Sequence, residues 1–285
     1  VGIERVDVVD HFDRRRVSGD NSRMNLLQLL AGFLLAIIIA YAAYRAHSLN
    51  QSGAYAAVIV GTLIFGVGGW QWAVLLLTFF ITSSGLTRAF KKRKLDLAEK
   101  FSKGGQRDAG QVFGNGALAA IFAALSPFAG SWTWIAFAAS LAAVNADTWA
   151  TELGVLNPHP PRMITNGKVV EKGTSGGVSL IGTLASLAGA GVIAILAAWL
   201  SPFGTDWSLI WIISLAGLLG SLFDSFLGAT AQAIYHCPSC HKETERHPTH
   251  LCGSPTTLKR GWAWLNNDLV NFGCALFAVI AALAL

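Results

Sequence analysis

Long apolar runs separated by short polar connections set the pattern of this chain. The runs fall at about residues 25–44, 54–67, 70–84, 112–126, 132–144, 176–200, 208–235 and 268–285. A helix perpendicular to a bilayer needs about 20 apolar residues to cross the hydrocarbon core, so the longer runs predict spanning helices and the shorter ones predict tilted, kinked or re-entrant segments. The expected fold class is therefore all-α: a polytopic transmembrane bundle of about seven or eight segments, some short or broken. Glycine punctuates it. "GTLIFGVGGWQW" predicts a turn at Gly66–Gly69 with Trp70 and Trp72 at a membrane interface, and "GTLASLAGAGV" offers a small face for close helix packing.

Composition agrees, with 53% hydrophobic and 13% charged residues in a chain of 285, outside the range of ordinary soluble domains. The net charge of +5 does not point to nucleic acid, because Lys and Arg sit in the connections between apolar runs and not on amphipathic helices. With eight crossings, the connections at 45–53, 85–111, 145–175 and 236–267 share one face and hold 16 of the 21 Lys and Arg residues. The positive-inside rule makes that face cytoplasmic. Lys91 to Lys94 read as a headgroup-binding anchor of this kind. The other five basic residues lie in residues 1–23, which precede Met24 and read as a tail, disordered or foreign to the protein, with no cleavable signal peptide. Residues 24–285 read as a single integral membrane domain that includes a cytoplasmic Cys/His loop at 236–261. Nothing in the pattern specifies an oligomer.

The polar residues among these runs carry the chemistry. In "KGGQRDAGQVFGNG", Gly104 and Gly105 expose backbone N–H groups while Lys103 and Arg107 supply charge, the arrangement that cradles phosphate; Asp108 and Asn115 join this candidate site, with a helix-packing hydrogen bond as the alternative for Asn115. "NADTWATELG" places Asp147 and Thr151 on one helical face and Asn145 and Glu152 on another. Carboxylates at a membrane boundary are costly unless paired, hydrated or bound to a cation; acids solvated in a loop are the competing reading. A second basic glycine-rich stretch brings Lys172, Gly173, Thr174 and Ser175 just before a helix start near Gly176. In "GSLFDSFLGATAQ", Asp224 stands inside an apolar run, which marks a functional acid, with a proton relay or ion pathway as the alternative.

Cys237 and Cys240 are spaced as C-x-x-C, and His250 and Cys252 as H-x-C, a set suited to one tetrahedral zinc ion with His247 as a substitute ligand. Four ligands leave no open position, so the site reads as structural; a redox C-x-x-C is the alternative. Four cysteines, three of them in one loop, indicate a reducing compartment. Near the end, Asn267 and Asn271 share a helical face and are expected to line the same cavity as the acids.

Taken in order, "GAYAAVIVGTLIFGVGGW", "KGGQRDAGQVFGNG", "NADTWATELG", "PRMITNGKVVEKGTSGGVSLIG", "GSLFDSFLGATAQ" and "CPSC…HLCG" with "WLNNDLVN" resemble the DUF92 integral membrane family over about residues 40–285. That family includes the transmembrane protein 19 type and plant and cyanobacterial phytyl-phosphate kinases, and is similar to CTP-using polyprenol kinases and CDP-diacylglycerol synthases. The resemblance implies an Mg2+-dependent phosphotransferase of isoprenoid, including tocopherol, biosynthesis. It would move a phosphoryl group from CTP or another nucleoside triphosphate to a prenyl monophosphate such as phytyl or geranylgeranyl phosphate, among membrane lipids. Carried over by motif, Asp147 and Asp224 would hold Mg2+ with Glu152 assisting, and Lys103, Arg107, Lys172 and the adjacent glycines would bind phosphates. A CTP-dependent lipid cytidylyltransferase and a transporter or flippase of an anionic lipid are the alternatives.

Overall fold

Among the residues that the computed structural model describes, 26–91 and 105–285, each apolar run folds mainly as a helix. The helices are α1 (Leu26–Arg45), α2 (Gln51–Leu63), α3 (Trp70–Phe90), α4 (Ala109–Ala129), α5 (Trp132–Gly154), α6 (Leu180–Trp199), α7 (Ser208–Thr230) and α8 (Asn267–Ala284). Seven of these spans are long and apolar enough to cross a membrane, α2 being counted together with the turn that ends it; the eighth helix, α5, is not among them. Its 23 residues run through the middle of the bundle, against α3, α4, α6, α7 and α8. A helix wrapped by other helices need not be lipophilic, which is how "NADTWATELG" can remain helical to Gly154.

Small residues permit the close approach. A methyl at Gly217 would lie 2.7 Å from Ala190 Cβ, and one at Gly220 2.8 Å from Ala143 Cβ, so α7 meets its neighbours almost backbone to backbone. Asn145 is fully buried and ties three helices together: its Nδ2 donates to Gly189 O at 2.8 Å, and its Oδ1 accepts from the Thr82 and Ser83 hydroxyls, each at 3.1 Å. The turn expected at Gly66–Gly69 is a π-helical turn, Ile64–Gly68, closed by Gly69 at φ 97°, a left-handed conformation that glycine adopts without strain. Trp70 is exposed there as expected, but Trp72 is not at the interface. It is 2% exposed, with its ring 5.0 Å from Trp134 and 4.6 Å from Phe137, because α3 turns that face toward α5.

The helix starts are asymmetric. Asn50, Asp108, Ser179 and Asn266 cap α2, α4, α6 and α8 by accepting from the backbone N–H groups of Gly53, Gln111, Gly182 and Leu269. The starts of α3, α5 and α7 carry no side-chain cap. Four capped N-termini and the C-terminal ends of α1, α3, α5 and α7 thus gather at one polar end. Backbone bonds between Asn50 N and Arg107 O and between Arg107 N and Ser48 O, both 3.0 Å, join the first connections there. The same end carries two small sheets inside polar connections. Strands β1 (Arg162–Met163) and β2 (Gly177–Val178) pair antiparallel. Strand β3 (Ile234–Cys237) lies between β4 (Lys242–Thr244) and β5 (Thr257–Arg260), antiparallel to both. The last part of the apolar run at 208–235 is therefore strand, α7 having ended at Thr230.

Candidate active site

The polar end of the bundle encloses a cleft of about 910 Å³. Asp147 and Glu152 reach it from α5, Asp224 from α7, Asn115 from α4, and Asn267 and Asn271 from α8, while Arg107, Lys172, Gly173, Thr174 and Ser175 reach it from the connections. Residues separated by more than a hundred positions are thus brought to one space. Lys103 and Gly104 lie outside the described residues; Gly105 lines the cleft. Asp108 does not line it. Its carboxylate accepts from Gln111 N at 2.9 Å in a reciprocal capping box that starts α4.

Asp224 is an acid of the site with one carboxylate oxygen left uncompensated. Its Oδ2 is buried without a hydrogen-bond partner, and the charges that act on it, Asp147 and Glu245, are both acidic. A carboxylate in that position costs several kcal/mol unless a cation or hydrogen bonds offset it, of order the penalty for burying an uncompensated ion. Glu152, 5% exposed, accepts from the Thr87 hydroxyl at 2.8 Å. Its charge also acts on Arg107, whose guanidinium burial holds down to about 10 against that attraction. Arg107 lies over the rings of Phe79 and Phe80, 5.4 and 5.7 Å from their centroids, and donates to Ser84 Oγ at 3.3 Å. Lys172 donates to the carbonyls of Asn157 and Val155, at 2.6 and 3.3 Å, just past the C-terminus of α5, where cations are favoured.

The 173–178 stretch is fixed against the end of α7. Gly176, at φ 87°, lies so close to Ala229 that a Cβ would come within 2.6 Å of its backbone. Ser175 Oγ donates to Gln232 Oε1 at 2.8 Å, and Gln232 Nε2 donates to Glu245 Oε1 at 2.9 Å. Arg260 then donates to Gly228 O at 2.7 Å and to Ser175 O at 3.3 Å. Glu245 is the cleft residue that sequence reasoning missed: it belongs to the Cys/His connection, and only the fold brings that connection to the cleft, where Gln232 also lines it and Arg260 holds the 173–178 stretch through Ser175. Replacing Arg260 with Gln removes two charge-assisted hydrogen bonds from a half-buried group and is expected to cost about 2 kcal/mol. The expected readout is a lower thermal midpoint in detergent with faster proteolysis within 173–178. Lys259→Gln should change little, since its 2.8 Å ion pair with Glu243 is largely solvated.

The Cys/His connection holds a second constellation. The ligand atoms of Cys237, Cys240, His250 and Cys252 all lie within 4.8 Å of one another. Cys237 Sγ and Cys252 Sγ are 3.5 Å apart, and His250 Nδ1 is 3.2 Å from Cys252 Sγ. A tetrahedral site with metal–sulfur bonds of about 2.3 Å has ligand–ligand edges of roughly 3.8 Å, so the cluster could close on one ion with little adjustment. Hydrogen bonds from Ser254 and then His250 bring the Cys252 thiol down to about 5, which favours its thiolate, whereas Cys240, hydrogen-bonded to Cys252, is pushed up to about 12. His247 is not in the cluster; it stacks on Tyr235 at 4.5 Å.

The sequence matches, over residues 34–279, the model of the family described as "Integral membrane protein DUF92". "Protein PGR" of Arabidopsis thaliana is 34% identical over 272 residues, covering 86% of this chain and 91% of that protein. An uncharacterized membrane protein of Methanocaldococcus jannaschii is 33% identical over 205 residues, covering 72% and 83%. "Protein VTE6, chloroplastic" of Arabidopsis thaliana is 27% identical over 244 residues, covering 82% and 65%. No solved structure matches.

Proposed function

The chain belongs to the DUF92 family of integral membrane proteins, and from that premise we propose that its polar cleft transfers the γ-phosphoryl group of CTP or another nucleoside triphosphate to a prenyl monophosphate, giving the diphosphate. The observation that carries this reading is Asp224 Oδ2, buried and unpartnered beside a second aspartate at the edge of an apolar bundle. A buried, unpartnered carboxylate oxygen with a second carboxylate beside it suits a hard divalent cation, and Mg2+ is held by one or two carboxylates together with substrate phosphates. Asp147 and Asp224 would hold it, with Glu152 nearby; when bound it would neutralise charge on the transferring phosphoryl group.

The chain's own residues supply the rest. Arg107 and Lys172 offer positive charge on the cleft wall, and the N-termini of α4, α6 and α8 direct their N–H groups toward the same end. The acceptor is itself a phosphate, so its ionised oxygen is the nucleophile and no protein nucleophile is required. Catalysis then consists of holding two polyanions in line and neutralising them. The stretch pinned by Arg260 and the Cys/His connection, which we read as a zinc-staple, shields the cleft from water. The basic residues of the connections favour the cytoplasmic face for this end, where nucleotide is present.

Purified protein in detergent, given phytyl or geranylgeranyl monophosphate, Mg2+ and each labelled nucleoside triphosphate in turn, is expected to form the lipid diphosphate with at least one pair. Absence of transfer with every pair, in protein shown to be folded, would overturn the proposal.

A further inference from the structure

A second cavity, of about 340 Å³, adjoins the cleft and is apolar apart from its mouth. It arises from how α3 is placed. This helix leaves α2 at Gly69 and packs mainly on the π-turn, α5 and α6, with little backbone packing along α1, α2 or α4. The space left between, a wedge beside α3, runs from Phe65 and Trp70 at the turn to Arg107 and Gln111 at the polar end. Small side chains keep it open: Ala36 on α1, Ala57 and Gly61 on α2, Ala73 on α3 and Gly116 on α4. Leu35 and Ile39 of α1 also line it while 43% and 37% exposed, so the wedge is open sideways to lipid.

Its mouth is shared with the cleft. Arg107, Gln111 and Asn115 line both spaces, and the Arg107 guanidinium rests on Phe79 and Phe80, which also line the wedge. Along α3 the lining runs from Trp70 to Phe80, ten residues or about 15 Å at 1.5 Å per residue. That is about half of a 30 Å hydrocarbon core, the depth of one leaflet. A cation at the head of an apolar groove one leaflet long, open to the bilayer on its side, matches a single-chain lipid with an anionic end. Given the kinase reading above, on which this inference rests, we propose that the wedge holds the hydrocarbon tail of the acceptor monophosphate, with its phosphate drawn toward Arg107 and into the cleft. The wedge then sets which tails are accepted.

Ala57→Phe and Ala73→Phe place a ring in the wedge without touching the cleft. Each is expected to lower kcat/KM for geranylgeranyl monophosphate by roughly tenfold or more while leaving that for isopentenyl monophosphate within about twofold. Equal losses on both acceptors, or none on the long one, would overturn the inference. A photo-crosslinking arm uses the wild-type protein and needs no turnover: a long-chain alkyl monophosphate carrying a diazirine near its tail end, with adducts mapped by mass spectrometry. Labelling of Ala57, Val60 and Leu77, reduced several-fold by excess unlabelled alkyl phosphate but not by phosphatidylcholine, is the expected result. Labelling of the outward-facing Leu34, Ile38 or Ile81, or equal displacement by phosphatidylcholine, would overturn it. A protein that labels in the wedge yet transfers no phosphoryl group would instead leave the tail site standing and remove the kinase reading.

Discussion

Asp224→Asn is expected to lower phosphoryl transfer by about a hundred- to a thousandfold, the scale on which removal of a group that stabilises transition-state charge is felt, without destabilising the protein. The substitution keeps the shape of the side chain and deletes a charge whose Oδ2 is buried without a partner. In the absence of divalent cation, the variant's thermal midpoint should therefore equal or exceed that of the wild type, since a buried uncompensated charge opposes folding. A carboxylate that merely held helices together would give the opposite outcome, with stability falling and activity following it. Asp147→Asn should likewise lower transfer steeply, because Asp147 is the acid whose charge acts on Asp224 and with which a cation would be shared. Turnover retained in either variant would remove that residue from the cation site.

The second large effect concerns the Cys/His connection. Wild-type protein is expected to contain about one zinc per chain, and the Cys237→Ser, Cys240→Ser double variant to contain none. Metal binding and folding of so small a module are one process, so the variant should lose the order of β3–β5 as well as the ion. Activity is expected to fall by about tenfold or more alongside it, because Glu245 and Arg260, which hold Gln232 and the 173–178 stretch in place, are carried by this module. Cys274→Ser, buried in α8 far from the cluster in sequence, serves as the control and should leave the metal content unchanged. Equal zinc in the double variant and the wild type would defeat the assignment.

The helices were legible because lipid-facing and core-facing surfaces are both apolar, so that burial and hydropathy coincide along most runs. Where they part, sequence reading fell short. The segment from Asn145 to Gly154 reads as helical by its spacing yet also belongs to the polar connection 145–175, and the burial of Asn145 and Glu152 within it comes only from α5 being surrounded by protein. Trp72 resembles an interface anchor in sequence, and only the packing of α3 on α5 turns it inward. Asp108 stands in D-x-x-Q before an apolar run, a capping-box signal that was there to be read and that accounts for its carboxylate. Glu245 offered no such signal, and the partners of Gln232 and Arg260 come from contacts across the fold, Arg260 with Ser175 at a separation of 85 residues. The acids and glycine-rich stretches could be named one by one, whereas their convergence is a property of the eight helices among the described residues presenting alternate ends to one face.

Phosphoryl and nucleotidyl transfer would use the same acids and the same cations, so the position of the atoms transferred is the most direct test of the central claim. Purified protein is incubated with Mg2+, a prenyl monophosphate and CTP labelled either at the γ- or at the α-phosphorus. The expected result is γ-label in the lipid product, with CDP released and no α-label in the lipid. Transfer of α-label with release of pyrophosphate, or of neither label under any nucleotide, would contradict it.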